Sequence, residues 1–222
     1  MRTLDTIVIG AGIAGLSAAA RIAQHCETVV LERESAPGYH SSGRSATFCH
    51  FGIGNRLVHR LTAISKAIFA TPQEGDHPPL ARRMAAFFIA RDHEREALDR
   101  LTETTLSHSP DARQIAEEDI ADIVPVLKIG DDGFVGGLYD PDAYKLDSDA
   151  MLQSNARALR DAGGALNSDS PVTGIRSVGS NWIVDTPGES YQADRIVNAA
   201  GSWADEIATM AGVAPLGLTP LK

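Results

Sequence analysis

The chain is poor in the features that mark several whole classes of protein. It has only two cysteines, Cys26 and Cys49. Neither sits in a CxxC pair or at metal-ligand spacing, which argues against a disulfide framework and against a metal site. Free thiols suit a reducing compartment, so a cytoplasmic location is expected. Aromatic residues make up 5% of the sequence, too few for base-stacking platforms. No apolar run approaches the roughly 18 residues of a membrane span. The N-terminus enters strand-like sequence without a charged-then-apolar leader. Internal repeats and low-complexity tracts are also missing.

Positive charge is the other shortage. Lys plus Arg number 20 against 29 for Asp plus Glu, a formal charge of −9. An acidic chain without a basic stripe is a poor partner for nucleic acid or an anionic membrane. Hydrophobic residues at 43% and charged residues at 22% are ordinary for a soluble globular protein. A length of 222 residues can bury a core in one large domain or two small ones.

What is present is concentrated between Thr6 and Arg33. The apolar run Thr6-Ile7-Val8-Ile9 ends at Gly10-Ala11-Gly12-Ile13-Ala14-Gly15. A small-residue, helix-like stretch follows, and then Thr28-Val29-Val30-Leu31 closed by Glu32 and Arg33. This is the order of parts in a βαβ unit that holds a dinucleotide. Gly10 lets the chain turn out of the strand, Gly12 carries no Cβ to block a pyrophosphate, and Gly15 lets the helix lie close to the sheet. The helix beginning near Ile13 would meet phosphate with its free N–H groups and positive dipole end. Glu32, at the end of the second strand, is placed to accept hydrogen bonds from ribose hydroxyls.

Two later stretches add to that site. Gly38-Tyr39-His40-Ser41-Ser42-Gly43-Arg44-Ser45-Ala46-Thr47 is small, hydroxyl-rich and carries one Arg. Such a stretch can offer N–H groups, hydroxyls and a guanidinium to phosphate. Ile196-Val197-Asn198-Ala199-Ala200-Gly201-Ser202-Trp203 runs from a strand through a small-residue turn into a helix over 203–210, leaving bare backbone for a cofactor face. Elsewhere the spacing predicts helices over 56–69, 92–104, 117–123 and from Ser148 to Gly163-Gly164. Strands are predicted over 84–90 and 133–139. A small antiparallel meander is predicted over 172–178, 182–185 and 191–197. Thr71 to Pro79, rich in proline, reads as a linker.

Together the four stretches Ile7 to Gly15, Glu32-Arg33, Gly38 to Ala46 and Val197 to Gly201 resemble the FAD-dependent amine and D-amino acid oxidoreductases. That family includes glycine and sarcosine oxidases and D-amino acid dehydrogenases, and the likeness is to its D-arginine dehydrogenase type. The resemblance implies an α/β fold: a Rossmann-like FAD-binding domain over 1–80 and 146–213, part of an antiparallel substrate domain over 81–145, and the start of a second substrate segment over 214–222. It implies that Gly10, Gly12, Ile13, Ala14 and Gly15 hold the pyrophosphate, and Glu32 and Arg33 the adenosine. Ser41, Ser42, Arg44, Ser45, Ala46 and Thr47 would line the phosphates and flavin. Val172 would meet adenine, and Ala200, Gly201 and Trp203 would close over the cofactor.

The activity so implied is oxidation of a D-amino acid or related amine at the α-carbon by hydride transfer to flavin, giving an imine and then a keto acid. Oxygen or a quinone would be the electron acceptor. No catalytic residue is assigned. The pocket candidates are Phe48, which stands where the arginine-specific type has a His, together with His50 and Ile53. The family's substrate-binding Glu falls on or near Ala85, so a cationic side chain would find no counter-charge. Family members continue beyond the position of Lys222, so the chain is expected to be a fragment, a truncated product or one piece of a split enzyme completed by a partner polypeptide. The rival readings are an NAD(P)-dependent dehydrogenase, a non-catalytic FAD-binding fragment and an FAD-dependent 2-hydroxy acid dehydrogenase.

Overall fold

The computed structural model describes residues 1–71, 78–130 and 132–219. Most of the predicted linker and the final residues of the predicted second substrate segment lie outside them. The chain divides into two units, Met1–Ser45 with Ser148–Lys222, and Ala46–Asp147. In chain order the elements are β1 (Arg2–Ile9), α1 (Ile13–Ile22), β2 (Thr28–Leu31) and the single turn α2 (Ser41–Arg44). The second unit holds β3 (Phe48–Cys49), α3 (Arg56–Ala70), β4 (Ala81–Arg83), β5 (Ala86–Ala90) and α4 (Arg95–Leu106). It continues with β6 (Arg113–Ala116), α5 (Glu117–Ile123), β7 (Gly136–Asp140) and β8 (Tyr144–Leu146). The chain then returns to the first unit with α6 (Ser148–Asp161), β9 (Ala165–Asn167), β10 (Gly174–Val178), β11 (Asn181–Asp185), β12 (Ser190–Asn198) and α7 (Ala204–Met210).

The first unit is built on a six-stranded sheet in the order β10-β11-β12-β1-β2-β9. Side chains of β1 and β2 alternate between its faces, as a strand's period of two requires. Val8 and Val30 pack with Leu16 and Ala19 of α1 and with Leu152, Ala156 and Leu159 of α6. Ile7, Ile9, Val29 and Leu31 point the other way, onto Val184, Tyr191 and Ile207. Strands apolar on both faces are the mark of a parallel sheet covered on both sides, and β1 pairs in parallel with both β2 and β12. The predicted meander is antiparallel from β10 to β12. It is an extension of the main sheet, because β12 runs beside β1 from Arg2↔Tyr191 to Ile9↔Asn198. Helix α6 ends as expected: Gly163 takes φ +84°, and the Gly164 N–H donates to the Leu159 carbonyl at 2.9 Å. Beyond α7, the Asp205 carboxylate accepts the N–H groups of Leu216 at 2.8 Å and Leu218 at 2.7 Å.

The second unit holds two three-stranded antiparallel sheets, β3-β8-β4 and β5-β7-β6. Its small core joins Ala90, Leu98, Ala112 and Leu138, with Phe88 and Leu101 packed against them. Residues 46–71, grouped with the cofactor-binding domain on sequence, pack here instead. β3 pairs with β8, and Lys66 of α3 donates from Nζ to Ser109 Oγ at 3.0 Å. Asn55 caps α3, its Oδ1 accepting from the N–H groups of Leu57 and Val58. The apolar spacing that predicts α3 is real, yet its stripe Leu57, Leu61, Ile64 and Ile68 is 52–64% exposed.

These contrasts give a direct test. Leu16→Ala removes a side chain fully buried between sheet and helix and should lower stability by about 3 kcal/mol. Ile64→Ala, on the exposed stripe, should change it by no more than about 0.5 kcal/mol. Urea unfolding of the two variants measures both.

Candidate cofactor site

The turn between β1 and α1 is held by contacts that admit no Cβ. A Cβ on Gly15 would stand 1.9 Å from the Gly10 carbonyl oxygen, and one on Gly10 would stand 2.5 Å from the Ala199 carbonyl oxygen. Gly10 also adopts φ +102°, a conformation natural only to glycine. The turn is tied across the sheet end by Glu32, which is buried. Its Oε2 accepts the Ala11 N–H at 2.7 Å and its Oε1 the Glu34 N–H at 2.9 Å. A carboxylate has about four acceptor positions, so Glu32 retains capacity for ribose hydroxyls while holding the turn.

The Ile13 N–H, first in α1, donates to Ser42 Oγ at 3.0 Å. A hydroxyl oxygen of α2 thus sits where a phosphate oxygen would meet the helix. The next N–H groups, of Ala14 and Gly15, have no acceptor within their own helix. A cavity of about 160 Å³ opens there, large enough for part of a dinucleotide only. Its wall contains Gly10, Gly12, Ile13, Ala14, Glu32, Ser41, Ser42, Ala200, Gly201 and Trp203. All of these stand among the residues that the sequence assigns to the cofactor. Glycine approach points, helix N–H groups and a buried acid at the strand end fit a dinucleotide.

Other assigned residues stand apart from that wall. Gly15 is buried behind it. Arg33 places its guanidinium 5.0 Å from the Trp203 ring and pairs with Glu34 at 3.3 Å. Arg44 lies over the Tyr39 ring at 5.4 Å. Val172 packs against the core cluster of the sheet. Ser45 closes the first unit, and Ala46 and Thr47 begin the second. Thr47, at φ 48°, donates from Oγ1 to the Leu146 carbonyl at 3.0 Å. Sequence alone leaves out Gly38, Tyr39, His40, Ala199 and Ser202, which also line the cavity. His40 is fixed by Glu34, with Nε2 3.0 Å from Oε1, and its ring centroid lies 4.5 Å from that of Trp203. The available signal was their position inside the two stretches already singled out.

In the second unit the pocket candidates Phe48, His50 and Ile53 line one cleft of about 340 Å³ with residues of α3. Ala85 is not part of its lining. Two of its lining residues, His50 and Cys49, are coupled to titratable groups outside it. Burial pushes the Asp140 carboxyl above the ordinary carboxylate value, against the pull of Lys66. Burial lowers the His50 imidazole, against the pull of Asp140. Burial also raises the Cys49 thiol, opposed by Lys66.

The fold is that of an α/β dinucleotide-binding protein with an added antiparallel unit. Comparison with known proteins makes this specific: residues 5–222 match the FAD dependent oxidoreductase family, and the chain belongs to it. The cofactor of that family is FAD. The chain is 31% identical over 219 residues to the mitochondrial dimethylglycine dehydrogenase of Homo sapiens, covering 94% of this chain and 24% of that protein. It therefore spans about a quarter of that relative's length. Among solved structures, the FAD-bound L-alpha-glycerophosphate oxidase of Mycoplasma pneumoniae superposes with a TM-score of 0.83 at 20% identity, over 96% of this chain and 58% of that one. Glycine oxidase of Geobacillus kaustophilus gives 0.77 at 18% identity, over 96% and 59%. These two likenesses establish the fold. No helix of the described residues is long and apolar enough to cross a membrane.

The thiols offer a test of the electrostatics. Iodoacetamide at mildly alkaline pH should label half-buried Cys26 first and leave Cys49 protected, since only the thiolate reacts and burial keeps Cys49 protonated. Unfolding in urea should expose both, and mass spectrometry of the labelled peptides reads the order.

Proposed function

We propose that this chain holds FAD at the β1–α1 turn and serves the oxidation of an amine or amino acid, D-amino acids among them, at the carbon next to nitrogen. The observation that carries the reading is the glycine cradle, whose free helix N–H groups stand beside a buried Glu32. Gly10, Gly12, Ile13, Ala14 and Gly15 would receive the pyrophosphate. Glu32 and Arg33 would receive the adenosine ribose and adenine, Val172 would meet the adenine, and Ser41, Ser42, Arg44 and Ser45 would line the phosphates. Ala200, Gly201 and Trp203 would lie over the cofactor. When bound, FAD supplies a two-electron acceptor, and the protein's part is to position the substrate carbon and exclude water. From a primary amino acid the product would be an imine that water converts to a keto acid and ammonia.

The amine class is supported by the 31% identity to a dimethylglycine dehydrogenase. A nicotinamide enzyme would share the glycine turn, but membership of the FAD dependent oxidoreductase family favours flavin. Because the chain spans only part of its relatives, activity is to be assayed on this chain and on any longer product of the same gene.

Quenching of FAD fluorescence by the purified chain tests the cofactor. Gly12→Val, which drives a side chain toward Ser42 Oγ, 3.2 Å from a Cβ at that position, should weaken binding at least about tenfold. Glu32→Ala should weaken it similarly. A chain that leaves FAD fluorescence unchanged, or a Gly12→Val variant that binds like the parent, would overturn the reading. Sarcosine and D-alanine should reduce an artificial acceptor faster than D-arginine does.

A further inference from the structure

We propose that the cleft of the second unit is a subsite for an uncharged, largely apolar group bearing a hydrogen-bond acceptor, and that His50 reads the acceptor with its Nε2–H. That the group belongs to an amine substrate rests on the function proposed above; that the cleft binds it does not.

The proton's position follows from one hydrogen bond. The Gly52 N–H donates to His50 Nδ1 at 2.9 Å. A backbone N–H can only donate, so Nδ1 presents its lone pair, and the neutral ring carries its proton on Nε2. Glycine at position 52 makes the approach feasible. A Cβ there would stand 2.8 Å from the Phe88 ring and 3.0 Å from Nδ1. The imidazole also packs edge-on to Phe88, with centroids 5.1 Å apart. Its orientation is therefore set by two neighbours that the ligand does not touch, as positioning of a recognition group requires. Burial lowers the affinity of this ring for a second proton despite Asp140, so it stays neutral. No partner takes Nε2–H among the described residues, and His50 lines the cleft.

The remaining lining defines the ligand. Its other polar groups are the Cys49 thiol and the hydroxyls of Thr62 and Ser65, one turn apart on α3. Phe48, Leu61, Phe69 and Leu146 supply apolar surface. No Asp, Glu, Lys or Arg is among the lining residues. Within the lining itself an ammonium or guanidinium would meet no carboxylate and a carboxylate no cation; Asp140 and Lys66 act on His50 and Cys49 only from outside it. An uncharged carbonyl or ether oxygen on a branched or aromatic group satisfies His50 and the hydroxyls without needing a charged partner. The volume of about 340 Å³ is at the lower end of small-molecule sites, roughly 300–1,000 Å³.

The test uses the full chain with ¹⁵N-labelled histidine. Long-range ¹H–¹⁵N correlation at neutral pH should give His50 as the Nε2–H tautomer. Titration with isovaleramide should shift the Nε2 signal. Isopentylamine and isovalerate, its cationic and anionic counterparts, should bind at least about tenfold more weakly. His50→Leu should lose about tenfold in isovaleramide affinity, and His50→Gln, which retains an N–H donor, should recover most of it. An Nδ1–H tautomer or an imidazolium overturns the proposal. So does equal binding of either charged probe, or no shift with any probe. If His50→Leu fails to fold, the tautomer and the ranking of probes still decide. No readout uses FAD: a chain that binds isovaleramide but not FAD removes the proposed function and leaves this subsite, and the reverse result removes the subsite alone.

Discussion

The carboxylate of Glu32 closes the first βαβ unit on itself, and the shape of the candidate cofactor site depends on it. One oxygen holds the Ala11 N–H inside the glycine turn, and the other holds the Glu34 N–H just beyond β2. Charge-assisted bonds of this kind are roughly twice as strong as neutral ones. Because Glu32 is buried, little water competes for them. The backbone from Gly10 to Gly12 is thereby fixed before any ligand arrives. On the proposed function, a phosphate would need only to displace or join the Ser42 hydroxyl at the Ile13 N–H. Preorganisation of this type spares the ligand the entropy of ordering a loop.

The geometry of this turn was legible in the sequence, because glycine at fixed positions is what lets the backbone approach so closely. On the proposed function, recognition there would work by the absence of Cβ atoms and by backbone N–H groups. Strands β1 and β2 announce themselves because both faces are buried, which leaves near-continuous apolar runs. What was not legible is non-local. Nothing in 190–198 says that β12 will lie parallel to β1, and the sequence predicts only the antiparallel pairing of the meander. β3, β4, β8 and β9, of two or three residues each, are too short to carry a period. His40 escaped assignment because its role comes from rings and a carboxylate brought beside it by the fold.

The resemblance groups 46–71 with the cofactor-binding domain, whereas in the structure they belong to the second compact unit. The pairing of Phe48 and Cys49 with Lys145 and Tyr144 draws them into the second unit across nearly a hundred residues of sequence. Thr47 marks the change of unit. Its left-handed backbone is unusual for a β-branched residue. The bond from Leu146 N–H to the Thr47 carbonyl at 2.8 Å and that from Thr47 Oγ1 to the Leu146 carbonyl hold it there.

The two units thus encode their chemistry in different ways. In the first, function is written into backbone geometry that tolerates little substitution: a Cβ at Gly10 or Gly15 would collide with a main-chain oxygen that cannot swing aside. In the second, the cleft is lined by side chains on short strands and on a helix whose apolar stripe lies exposed. On the proposal above, replacing Ile53 or Ser65 would change what the cleft accepts, and neither residue adopts a positive φ. The element of the second unit that resists change is the support outside the cleft lining. There half-buried Lys66 reaches Ser109 and acts on buried Asp140, and removing Lys66 would leave the Asp140 carboxyl buried without that compensation. On the proposed function, the cofactor site would tolerate few single substitutions, and the cleft more. That asymmetry is why family membership can be read directly while the substrate has to be argued from the cleft.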